Sequence, residues 1–185
     1  GPEDRNESVF GHKPFLLLAD HLTRNGFAVL RCDDRGVGGS GGEYATATTE
    51  DFAHDVQAQF DYLAKRKDMD RKHIGLLGHS EGGIIAPLVA AQNDRVAFMV
   101  LLAAPIIDLY DLLLAQDSLV AKASGSKRKE IDELIRTNQH LFGILRSVPD
   151  TNESKQQVIQ YLDSTGASDA VIEYTLKQLC TPWMQ

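Results

Sequence analysis

The chain has 185 residues, 26 acidic and 19 basic, so its formal charge is −7; hydrophobic residues make up 43% and charged ones 24%. That suffices for one domain with a real core, in ordinary soluble globular composition. Acidity argues against nucleic acid as a partner, no basic run exceeds Lys127-Arg128-Lys129, and no apolar stretch reaches the ~20 residues of a membrane span.

No basic segment followed by an apolar one opens the chain, which leaves the cytoplasm open as a compartment, or the cell envelope and secretion if a leader was removed. Cys32 and Cys180 are too few and too far apart for a disulfide framework or a zinc site.

In chain order, His12 to Gly26 reads as a helix: Pro14 suits its first turn, Phe15, Leu18, Ala19 and Leu22 share a face, and Gly26 suits the C-terminal cap. Phe27 to Cys32 reads as a short buried strand ending at Asp33-Asp34. The run from Arg35 to Gly42 is too glycine-rich for an element interior. Thr48 or Thr49 caps a second helix, with Phe52, Ala53, Val56, Phe60, Leu63 and Ala64 at helical spacing. His73 to Leu77 is the second strand, and an apolar helix from Ile84 to Gln92 follows it. Pro87 lies inside that helix, at a cost of roughly 3 kcal/mol unless it falls in the first turn. Val96 to Ala103 is a continuous apolar strand suited to a parallel sheet covered on both faces.

After Pro105 the pattern turns helical, near 106–122, 127–147, 152–164 and 168–180, with Gly125, Pro149 and Gly166 as separators. Alternating strands and helices followed by helices alone predict an α/β core over residues 1–107 and an all-helical cap over 108–185.

Chemistry enters at Gly78-His79-Ser80-Glu81-Gly82, which fits the G-x-S-x-G nucleophile elbow with a strand before it and a helix after it. A serine on so tight a turn holds a strained backbone, so the glycines two residues away are expected to lack side chains to avoid a clash. The turn lifts the hydroxyl clear, and the N–H of Glu81 lies at a helix N-terminus, where a developing oxyanion is favoured. The bland alternative is a glycine-rich turn with an exposed serine.

These residues make the chain resemble the α/β-hydrolase superfamily, within it the bacterial esterases and serine aminopeptidase-like hydrolases. Gly1 to Glu7 looks like the latter part of the family's G-S-G-P-x-D-R-[DN]-E stretch. Phe10 to Phe15, Asp33 to Gly38 and Gly78 to Gly83 look like its next three motifs, in the family's order. The resemblance implies a partial α/β-hydrolase fold: a parallel sheet with flanking helices and a helical lid, which Thr181 to Met184 would return to the sheet. It implies a small acyl ester as substrate, cleaved through an acyl-enzyme on Ser80, with no metal or organic cofactor. A peptidase, another acyl hydrolase, or a non-catalytic hydrolase-fold piece are the alternatives.

In this superfamily the triad runs serine, acid, histidine along the chain. Of the six histidines only His140 follows Ser80, in an amphipathic helical stretch, and no strand with a trailing acid follows the third strand. The second oxyanion N–H would come from residues at or before Gly1. The expectation is therefore an internal fragment, with its general base and orienting acid elsewhere and with unpaired sheet edges open to homo-oligomer formation.

Other signals read more simply. Gly36-Val37-Gly38-Gly39-Ser40-Gly41 matches G-x-G-x-x-G, and Asp55 follows Gly36 by 19 residues, but it falls mid-helix and Asp33-Asp34 would repel a pyrophosphate. A tight turn is expected, not a cofactor site. His79 is expected to pack or hydrogen-bond rather than relay protons. Asp34 and Arg35 are expected to form ion pairs beneath the elbow, with Asp33 bordering the pocket. Residues 127–136 read as a solvated face with i,i+4 pairs. Leu112, Leu113, Leu114, Leu141, Phe142 and Leu145 are candidates for the inner face of the cap.

Overall fold

The computed structural model describes residues 2–148 and 150–184; Gly1, invoked above for the oxyanion loop, and the separator Pro149 lie outside the described residues. The chain divides into two compact units, Gly1–Ala104 and Pro105–Gln185.

In the first unit, α1 (Pro14–Arg24) opens with Pro14 in its first turn, where no N–H is needed. It ends at Gly26, whose φ of +90° a side chain would resist. Helix α2 (Thr49–Lys65) starts with a reciprocal capping box between Thr48 and Asp51. Strands β1 (Leu76–His79) and β2 (Met99–Leu102) form a parallel pair, Leu76 opposite Met99 and His79 opposite Leu102. Helix α3 (Gly82–Gln92) connects them and packs on both, with α2 against α3.

Three expectations need correction. Residues 27–32 form no strand among the described residues: Phe27 is 55% exposed, and a cavity of about 940 Å³ is lined both by these residues and by β1. Without a neighbour within hydrogen-bonding reach, an apolar run has no ladder to join. Strand β1 starts three residues later than the apolar pattern suggests, because Asp70 draws His73 into a turn through its carbonyl (3.1 Å) and its carboxylate (2.7 Å). Strand β2 is shorter than Val96–Ala103, and its four residues are all 38–42% exposed rather than covered on both faces. A two-stranded sheet offers too little cover to bury them. Pro87 is the sixth residue of α3, past the first turn where it would be harmless.

The second unit holds α4 (Leu109–Ala123), α5 (Arg128–Ser147), α6 (Thr151–Ser164), α7 (Asp169–Leu179) and a 3-10 turn at Pro182–Met184. Gly125 and Gly166 end α4 and α6 in left-handed conformation. Leu141, Phe142 and Leu145 of α5 pack with Val158, Leu162 and Ile172, and Leu113 and Leu114 of α4 lie against them. The leucine-rich face is thus the core of the helical unit, except that Leu112, expected there too, is only half-buried and does not join it. Arg128–Asp132 (2.9 Å) and Lys129–Glu133 (3.9 Å) form i,i+4 pairs on the exposed side of α5.

Candidate active site

The elbow forms where β1 runs into α3. Ser80 sits there at φ +52°, a conformation that costs an L-residue roughly 1–2 kcal/mol. Two backbone bonds hold it: the Ser80 N–H donates to the Leu102 carbonyl (3.0 Å), and the Gly83 N–H donates to the Ser80 carbonyl (2.8 Å). The turn is thereby pinned to strand and helix at once, and the serine is exposed.

Glycine is needed beneath this turn because backbones nearly touch. A Cβ on Gly78 would lie 2.0 Å from the Gly82 carbonyl oxygen, and one on Gly83 2.4 Å from the Ala104 Cβ. Around Gly82 nothing lies within 4 Å of that position. The expectation that both motif glycines must be bare is therefore corrected: Gly78 must, Gly82 has room, and Gly83 is the second essential position. The doubled glycine was the only sequence signal for it.

Glu81 is the N-cap of α3, so its backbone N–H belongs to the positive end of that helix, beside Ser80. Its side chain accepts the Thr49 hydroxyl (3.0 Å), which ties the start of α3 to the start of α2. The His79 ring turns to the edge of Phe15, with centroids 5.7 Å apart, and its Nδ1 lies 3.4 Å from a Glu7 carboxylate oxygen. Glu7 is a neighbour of the elbow that the sequence reading missed; only its place in the D-R-N-E stretch hinted at it.

The ion pairs differ from those expected. Arg35 clamps Asp55 on α2 through two bonds of 2.7 and 2.8 Å. Asp34 accepts the Glu3 N–H (3.0 Å), and burial pushes its carboxyl above the usual range. Asp33 is buried and receives the Arg5 side chain twice (2.8 Å each), the Arg5 N–H (2.9 Å) and the Gly39 N–H (2.9 Å). The Arg5 guanidinium and these N–H groups hold its carboxyl far below the usual range. Gly38 passes so close that a Cβ there would lie 2.6 Å from an Asp33 oxygen. The glycine loop resembling a phosphate cradle thus closes around a carboxylate of the protein itself, and Asp55 is engaged with Arg35 rather than a ribose.

The cavity of about 940 Å³ reaches Ser80 and Glu81 and is also lined by Tyr44. Burial and the nearby carboxylates of Glu81, Asp34 and Glu3 push the Tyr44 hydroxyl up to about 12, so it remains a proton donor at ordinary pH. His140 lies in the helical unit, stacked on Tyr161 at 3.9 Å. Among the described residues, no histidine is hydrogen-bonded to Ser80, and no three His, Cys, Asp or Glu side chains gather as metal ligands. No helix there is long and apolar enough to cross a membrane.

Comparison with known proteins points to a hydrolase family. An 83-residue stretch is 34% identical to an uncharacterized 31.7 kDa protein of the traX-finO intergenic region of Escherichia coli, covering 45% of this chain and 29% of that protein. A 146-residue stretch is 28% identical to the "Putative hydrolase YtaP" of Bacillus subtilis (strain 168), covering 67% of this chain and 48% of that protein. The chain thus matches less than half the length of either relative. The family model for the S33 serine aminopeptidases matches residues 13–159, a span that holds the elbow, α3 and both strands. The chain belongs to the serine aminopeptidase S33 family of hydrolases, with a partial α/β-hydrolase fold.

Proposed function

We propose that this chain carries the nucleophile of a serine carboxylic ester hydrolase. The observation that supports it most is the left-handed Ser80 between β1 and α3. Ser80 Oγ attacks the ester carbonyl, and the Glu81 N–H takes up the tetrahedral oxyanion, an interaction typically worth about 3 kcal/mol or more. The C–O bond to the alcohol then breaks, leaving an acyl-Ser80 ester that water hydrolyses. The reading requires a histidine to carry the Ser80 proton to the leaving alcohol, and an acid to orient it. We assign neither to a described residue, and the whole protein's catalytic set is part of the proposal.

A second reading, peptide hydrolysis, is favoured by the family description, serine aminopeptidase. An elbow serves ester and amide alike. Fluorophosphonate labelling followed by intact mass, with Ser80→Ala as control, tests the nucleophile: one adduct, lost in the variant, is expected wherever the histidine that the reading requires is present. Absence of an adduct in this chain and in a longer form of the protein alike would overturn it. With labelling in hand, p-nitrophenyl esters against aminoacyl p-nitroanilides separate the two readings.

A further inference from the structure

We infer that Glu7 is a positioning residue for Ser80, acting through His79. The inference takes its functional meaning from Ser80 as nucleophile, proposed above, but its geometry stands apart from that reading. Residues 3–6 are fastened to the loop at 31–39 by bonds that do not use the Glu7 side chain. Glu3 and Asp34 bond reciprocally, Arg5 grips Asp33, and an Arg31 guanidinium nitrogen donates to the Arg5 carbonyl (2.7 Å) and to Asn6 Oδ1 (2.8 Å). Beyond them, the Phe15 N–H donates to the Asn6 carbonyl (3.3 Å), and the Glu7 N–H closes a turn onto the Asp4 carbonyl (2.9 Å).

On this anchored strap Glu7 adopts φ +51°, a conformation rare for a side chain of its size. Its carboxylate meets the imidazole of His79, the residue whose peptide bond leads into Ser80. The ring also meets the edge of Phe15, from α1. The His79 side chain is thus held by a carboxylate and an aromatic ring, which limits turning about its own Cα–C bond, the torsion that tilts the planar peptide leading into Ser80. That rotation is the route by which a left-handed serine would relax its strain. Backbone strain at two positions, Glu7 and Ser80, is joined by one side-chain contact.

Amide hydrogen exchange by NMR on the 15N-labelled chain tests this without depending on catalysis. Relative to wild type, Glu7→Ala is expected to speed exchange at the Ser80 and Gly83 amides by about tenfold, with the amides of α5 unchanged. Glu7→Gln, which keeps an acceptor oxygen at similar reach, restores most of the protection. Equal exchange in wild type and Glu7→Ala would overturn the assignment, as would equal loss in the Ala and Gln variants, since that would place the effect in the strap alone. Fluorophosphonate labelling of the same samples separates the two claims. Slower labelling in Glu7→Ala with rescue by Gln supports both; exchange effects without labelling of wild type, in this chain and in the longer form alike, leave the positioning role standing and remove the nucleophile reading.

Discussion

Gly82 and Gly83 look interchangeable in the sequence, yet only one is crowded. Gly82→Ala is expected to fold and to label at Ser80 within about twofold of wild type, because the added methyl meets open space. Gly83→Ala forces a methyl into Ala104, and Gly78→Ala forces one into the Gly82 backbone. Both are expected to lose several kcal/mol, on the order of 3, read as an earlier urea midpoint. Tyr44 gives a second test. Its hydroxyl is pushed up to about 12, so folding favours its protonated form. This contribution is intact below pH 10 and is lost as pH rises through 12. Phenolate absorbance should show a late-ionising tyrosine that disappears in Tyr44→Phe. At this scale the tight turn at Ser80 and the need for a bare Gly78 were legible from G-x-S-x-G, whereas the crowding at Gly83 instead of Gly82 depends on an approach to Ala104 that no spacing encodes.

Elements with local signals were read well. Thr48, Pro14 and Gly26 act within a turn of their own positions, so the ends of α1 and α2 follow from neighbouring residues alone. Thr48→Ala should therefore cost about 1 kcal/mol in thermal or urea unfolding, the usual worth of an N-cap. The strands were less legible, since a strand exists only where another chain segment supplies its hydrogen-bond partners. Residues 27–32 carry a strand's composition without a ladder, and β1 begins only after Asp70 has released the chain from its turn. Apolar periodicity cannot reveal either fact.

At the scale of the molecule, the helical unit has a closed apolar core while the sheet of the first unit does not. Leu145→Ala should thus destabilise the helical unit by about 2–5 kcal/mol, seen as a loss of helical circular dichroism at lower temperature. In the first unit Leu77, Val100 and Leu101 remain about two-fifths exposed on a two-stranded sheet. We propose that such a sheet recruits a second copy along its free edges. Light scattering should report a dimer that dissociates on Val100→Lys; a monomer at high concentration would end the idea. The α/β class, the helical remainder and the unpaired sheet edges were readable from the pattern, but the exposure of the strands' faces was not, because exposure is a property of what surrounds an apolar residue.

The carboxylate of Asp33, enclosed by the glycine loop, has a consequence for how this lineage can change. A larger residue at Gly38 would collide with the acid, and loss of the acid would strand the Arg5 guanidinium and the Gly39 N–H that now share it. Neither position can drift first without harm. Among homologues the two should therefore covary, a side chain at position 38 being found together with loss of the acid at 33.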